Sequence, residues 1–131
     1  MFDLKTRVLV VDDMSSVRKL VAAICAQIGF TDVTEAENGE KAWTVINTAE
    51  KPIGLVISDW SMPELTGIDL LKRVRADKRY AHLPFLLVTA EREAYQVKDA
   101  LASGVSNYVV KPFTAQILTE KLEAIHKKCG G

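Results

Sequence analysis

Arg7-Val8-Leu9-Val10-Val11 is apolar after its first residue and stops abruptly at Asp12-Asp13. A run this short, rich in β-branched residues and bounded by carboxylates, reads as a strand buried on both faces. From Ser15 onward, Val17, Leu20, Val21, Ile24 and Ile28 recur at three-and-four spacing, which predicts one face of a helix ended by Gly29. The pattern then repeats. Asp32-Val33-Thr34-Glu35-Ala36 predicts a second, weaker strand, Glu37-Asn38-Gly39 a turn, and Ala42, Val45, Ile46 and Ala49 a second helix. Leu55-Val56-Ile57-Ser58 predicts a third strand stopping at Asp59, followed by a loop over residues 60–67 and a third helix marked by Ile68, Leu71 and Val74. Phe85-Leu86-Leu87-Val88-Thr89 predicts a fourth strand, and Val97, Ala100 and Leu101 a fourth helix ended by Gly104. Asn107-Tyr108-Val109-Val110 predicts a fifth strand stopping at Lys111-Pro112-Phe113, and Leu118, Leu122 and Ile125 mark the last helix.

Five β-α units in a row, with apolar strands at the centre, predict an α/β fold: a doubly wound five-stranded parallel sheet with helices on both faces. Right-handed crossovers leave few topologies, and the common order for five strands is 2-1-3-4-5, the flavodoxin-like arrangement. Residues 1–131 are expected to form a single domain, since no linker or low-complexity stretch interrupts them. In such a sheet, ligands bind at the carboxyl ends of the strands, beside the switch between strands 1 and 3.

Composition narrows the function. Of 131 residues, 48% are hydrophobic and 26% charged, and 17 Lys+Arg balance 17 Asp+Glu. Zero net charge argues against a general nucleic-acid binder, which carries a basic excess. No apolar run approaches the ~20 residues of a membrane span, and Met1-Phe2-Asp3-Leu4-Lys5 is no secretion signal. Two cysteines make no disulfide framework. Cys25 is expected in the core and Cys129 in the polar tail, with both thiols free in a cytoplasmic protein.

The chemistry lies at the carboxyl end of each strand. Strand 1 ends in Asp12-Asp13, strand 3 in Asp59, strand 4 in Thr89 and strand 5 in Lys111. In the expected order these groups converge on one sheet edge. Like charges ~4 Å apart repel by about 4 kcal/mol per pair at an effective dielectric of roughly 20, and a single Lys cannot neutralise three acids. A divalent cation resolves that conflict, and all-oxygen ligands suit Mg²⁺. Asp13 and Asp59 are the natural direct ligands, Asp12 acts through a water, and the backbone carbonyl of Ser61 completes the protein's share. An Asp carboxylate is also a nucleophile toward phosphorus, and Asp59 stands alone at the centre of the edge. Mg²⁺ and Lys111 would stabilise charge on the transferring oxygens, with Thr89 a hydrogen-bond donor. Taken singly, each residue has a structural role instead: the Asp pair or Ser15 or Ser16 as a helix cap, Asp59 as a turn residue, Lys111 as a solvated strand exit. Their joint placement at one edge is what selects a site.

Asp12-Asp13, Asp59-Trp60-Ser61-Met62-Pro63, Thr89-Ala90 and Lys111-Pro112-Phe113 resemble the signature of the receiver domains of two-component response regulators. The intervals agree: 46 residues from Asp13 to Asp59, 30 on to Thr89 and 22 on to Lys111. Ser58-Asp59-Trp60, Val88-Thr89-Ala90-Glu91 and the run from Tyr108 to Thr114 resemble most the free-standing chemotaxis members of that family. The resemblance implies that a CheA-like histidine kinase phosphorylates Asp59 with Mg²⁺ bound. Thr89 then moves toward the phosphoryl group and Tyr108 rotates inward. The surface formed by the fourth helix, fifth strand and last helix then binds a target such as a flagellar motor switch protein. It further implies a monomer, a phosphatase as a further partner, a cis bond at Lys111-Pro112, and no nucleic-acid or membrane partner.

Three departures separate the chain from the best-known chemotaxis members. Ser61 replaces an Asn, and the resemblance implies that it and Glu91 lie along the path of hydrolytic water. Met14 replaces an aromatic, and Glu91-Arg92-Glu93-Ala94-Tyr95-Gln96 is less basic than its counterpart. His82 and His126 have no ligand partner at helical spacing and are expected at the solvated surface. Trp43 should flank the core and Trp60 the pocket.

Other functions leave distinguishable marks. A Mg²⁺-dependent aspartyl-phosphate phosphohydrolase of the haloacid dehalogenase type needs a second Asp two residues after the nucleophile, where Ser61 stands. A flavodoxin-type flavin module would place phosphate where Asp12-Asp13 repel it. A receiver within a longer regulator would carry an output domain, yet the last helix runs almost to residue 131. The expected protein is a signalling module and no turnover enzyme.

Overall fold

The structure is a computed structural model that describes residues 2–62, 65–90 and 102–128. The strands are β1 (Arg7–Val11), β2 (Asp32–Ala36), β3 (Leu55–Asp59), β4 (Phe85–Ala90) and β5 (Asn107–Lys111). They form one sheet in the order β2-β1-β3-β4-β5, with every neighbouring pair parallel. Helices α1 (Ser15–Ile28), α2 (Gly39–Thr48), α3 (Gly67–Ala76) and α4 (Ala115–Lys128) cover its faces. This is the expected doubly wound, flavodoxin-like order. The fourth helix expected around Val97 to Leu101 lies outside the described residues, as do Glu91, Pro63 and Cys129.

Alternation along the strands splits the interior in two. Leu9, Val11, Val56, Phe85 and Leu87 face α2 and α3, where Ala42, Ile46, Leu70, Leu71 and Val74 meet them. Val8, Val10, Leu55, Ile57, Leu86, Val88 and Val109 face the other way, toward Val21 and Cys25 of α1 and Leu118, Leu122 and Ile125 of α4. Strands apolar on both sides fit only between two helical layers, and each buried side chain of this size contributes about 1.5–3 kcal/mol.

Local signals set the helix ends. Asn38 Oδ1 accepts from Lys41 N at 2.8 Å and Thr66 Oγ1 from Asp69 N at 3.2 Å, capping α2 and α3. Gly29, at φ 123°, donates to the Cys25 and Ala26 carbonyls and closes α1.

Leu20 departs from the expected apolar face: it is 60% exposed. Three-and-four spacing admits both Leu20 and Val21, but they point about 100° apart on a helix, and the face centred on Val21 and Cys25 turns Leu20 outward. On α3, Leu70 joins Leu71 and Val74 in the core while Ile68 is only partly buried. His82 is exposed as expected, whereas His126 is half-buried with its ring 5.1 Å from that of Phe2. Trp43 packs against the core edge-on to Tyr80. Among the described residues no helix is long and apolar enough to cross a membrane.

Candidate functional site

The polar strand ends meet as the topology requires. One carboxylate oxygen each from Asp12, Asp13 and Asp59 lie within 4.8 Å of one another. Asp12 and Asp59 are buried and Asp13 is exposed, so the cluster opens to solvent on one side. Lys111 Nζ lies 2.9 Å from Asp59 Oδ1, and the Lys111–Pro112 bond is cis. Thr89 is fully buried near the end of β4, where the next residue, Ala90, pairs with Lys111 of β5. Its hydroxyl donates to the Ala90 carbonyl at 3.1 Å. Ser61 is exposed two residues past Asp59, and Trp60 is buried beside that acceptor position.

The backbone around the acids is tightly specified. Asp12 N donates to the Ala36 carbonyl at 3.2 Å, extending the β1–β2 ladder past the strand end. Asp12 Oδ1 accepts from Met14 N at 2.9 Å. No side chain caps α1 itself, which leaves Ser15 and Ser16 without the capping role open to them in the sequence. Trp60 N donates to the Val88 carbonyl and Gly67 N to the Trp60 carbonyl, both at 2.9 Å. A Cβ on Gly67 would sit 2.1 Å from the Asp59 carbonyl oxygen, so only glycine lets α3 approach the acceptor strand this closely.

Electrostatics fit a cation site. Burial pushes the Asp12 carboxyl up to about 6, with the Met14 N–H pulling it down and the Asp59 charge pushing it further up. Burial also raises Asp59, against the opposing pull of the Lys111 ion pair. Two of the three oxygen donors are thus held above the ordinary carboxylate range, chiefly by burial with like charge adding to it, and a hard divalent cation offsets both.

Tyr108 lies on β5 opposite Leu87, half-buried against the α2–α3 core layer. The Lys121 ammonium of α4 stands 5.1 Å from the centre of its ring. Two contacts at the site carry no signal in the sequence. Gly67 reads there only as a loop end. Arg18, whose guanidinium donates to the Asp12 carbonyl at 2.9 Å and to Glu35 Oε1 at 3.0 Å, reads as a solvated helix residue.

Residues 8–123 match the family described as response regulator receiver domain. The chain is 44% identical over 125 residues to the chemotaxis protein CheY of Pseudomonas aeruginosa, covering 95% of this chain and 99% of that protein. It is 44% identical over 119 residues to CheY1 of Helicobacter pylori, covering 91% and 95%. Its fold is similar to that of CheY4 of Vibrio cholerae, with a TM-score of 0.81 at 31% identity, over 92% of this chain and 98% of that one. A five-stranded sheet whose edge gathers an acidic trio, a buried Thr and a Lys therefore coincides with a match over nearly all of the chain: it belongs to the response regulator receiver domain family and is closely related to the CheY chemotaxis regulators.

Proposed function

We propose that this chain is a free-standing phosphorylation switch whose acceptor is Asp59. The observation that carries this reading is the convergence of three carboxylates within 4.8 Å with the Lys111 ammonium 2.9 Å from one of them. The all-oxygen donor set fits Mg²⁺: Asp13 and Asp59 would hold it directly, Asp12 through a water, and the Ser61 carbonyl would complete the set. When bound, Mg²⁺ supplies a Lewis acid that draws charge from the phosphoryl oxygens.

An Asp59 carboxylate oxygen attacks the phosphorus of a kinase phosphohistidine. The O–P bond forms, the P–N bond breaks, and the imidazole leaves with the electron pair and takes a proton from solvent. Lys111 opposes the charge on the transferred group. Thr89 gives up its bond to the Ala90 carbonyl to reach the phosphoryl oxygens, and Tyr108 turns into the space released. The changed surface of β5 and α4 then takes a target. The relatives named for chemotaxis support a CheA-like kinase, a flagellar motor switch protein as target and a phosphatase to reset the switch. The chain supplies its own catalytic groups but turns over no external metabolite, and it works as a cytoplasmic monomer.

Incubation with acetyl phosphate and MgCl₂ should add one hydroxylamine-sensitive phosphoryl group by intact mass. Asp59→Asn should show none; equal labelling of that variant rejects the acceptor.

A further inference from the structure

Arg18 sits on the first turns of α1, its side chain only 14% exposed, and bridges two structures that flank the acidic cluster. Its Nη1 donates to the Asp12 carbonyl at 2.9 Å, and its Nε to Glu35 Oε1 on β2 at 3.0 Å. With the Ala36 carbonyl holding the Asp12 N–H and the Met14 N–H holding Asp12 Oδ1, the Asp12 residue is fixed at three points. Arg18 provides the one that comes from a cationic side chain. The contact is made to the carbonyl of the Asp12–Asp13 peptide, and so holds the plane of the peptide from which Asp13 departs.

Glu35 has a distinct part. A guanidinium bonded to the Asp12 carbonyl, if released from Glu35, could swing onto a neighbouring carboxylate and compete for its oxygens. The Glu35 carboxylate holds Nε on the β2 side, leaving Nη1 on the carbonyl. We propose that Arg18, tethered by Glu35, is a positioning residue that aims the Asp12 and Asp13 carboxylates and keeps its own charge out of the cluster. This rests on the reading of the cluster as a Mg²⁺ site. Groups that orient metal ligands affect affinity by about 10- to 100-fold when removed.

The test uses the full chain and Mg²⁺ alone, titrated by the fluorescence of Trp60. Arg18→Met keeps the apolar stem and removes the donors; it should raise the Mg²⁺ Kd by about 10-fold or more. Arg18→Lys, whose single nitrogen does not reproduce the Nε and Nη1 pair, should recover only part of that loss. Glu35→Gln should weaken binding while Arg18 is present and add nothing in the Arg18→Met background, because the two act as one unit. Thermal midpoints of the metal-free variants should stay close to that of the parent. A Kd for Arg18→Met within about twofold of the parent, or additive losses in the double variant, would overturn the proposal. Amide exchange of Met14 in the metal-free protein gives a second readout. Arg18→Met should speed it by about tenfold, since its Asp12 partner loosens; unchanged exchange overturns the positioning role. If the parent itself binds no Mg²⁺, the cation-site reading fails, and the Met14 exchange alone decides the positioning.

Discussion

Lys111 Nζ stands 2.9 Å from Asp59 Oδ1, an ion pair between β5 and β3, two strands separated in the sheet by β4. With the Asp59 side chain 8% exposed and that of Lys111 30%, the pair sits where charge is poorly screened. Lys111→Ala removes a competitor for the Asp59 oxygen, so Mg²⁺ binding should be retained and not weakened. Phosphoryl uptake from acetyl phosphate should slow by about 10²-fold, as for loss of one preorganised donor to a developing anion. Fluorescence titration and timed intact mass check the two halves separately.

The cluster also sets a pH dependence. Burial holds Asp12 near 6 and pushes Asp59 in the same direction. Both carboxyls are thus raised above their unfolded values, so between about pH 6 and 4 the folded chain binds protons that the unfolded chain does not. Metal-free protein should therefore gain stability as pH falls from 7 to 5. Asp32, held low by Lys51 and then Arg7, and Asp77, held low by Arg79, work in the opposite sense only at more acid pH. Thermal melts without metal should show the rise; saturating Mg²⁺ should flatten it, and Asp12→Asn should remove much of it.

Gly67→Ala tests the approach of α3 to β3. The added methyl meets the Asp59 carbonyl oxygen at 2.1 Å, backbone that cannot rotate away. Overpacking of this kind costs about 1–3 kcal/mol, measurable by urea denaturation. Because the displaced strand end carries Asp59, phosphoryl uptake should also fall in the fraction that remains folded.

Leu20 and Leu71 form a matched pair of leucines on two helices. Leu71 is fully buried and Leu20 is 60% exposed. Leu71→Ala should cost about 2–5 kcal/mol. Leu20→Ala should stay within about 0.5 kcal/mol. Equal losses would return Leu20 to the inner face of α1.

The strands were legible because apolar runs end in charge at the sheet edge. β1 and β2 fall on the residues expected, and β3, β4 and β5 each extend one residue further, to Asp59, Ala90 and Lys111. Those extra residues are held by the ladder itself, through pairs such as Asp59 with Val88 and Ala90 with Lys111, which a single strand's sequence does not reveal. The acidic trio and Lys111 were legible for the same reason: Asp59 and Lys111 close their strands, and Asp12 and Asp13 follow directly on β1. The Arg18–Glu35 link was not, since it joins a helix and a strand 17 residues apart through side chains that periodicity treats as solvated. Leu20 misled because spacing alone leaves the centre of a helical face undetermined by one position.

Asp12 follows β1, while Asp59, Thr89 and Lys111 lie on β3, β4 and β5, so no contiguous peptide of this chain carries the pocket. On the proposed function, a phosphodonor meeting a half-made or clipped chain would find nothing to charge, so the signal would pass only through intact copies. The same dependence would turn hydroxylamine-labile phosphate into a census of correctly assembled molecules in a mixed preparation.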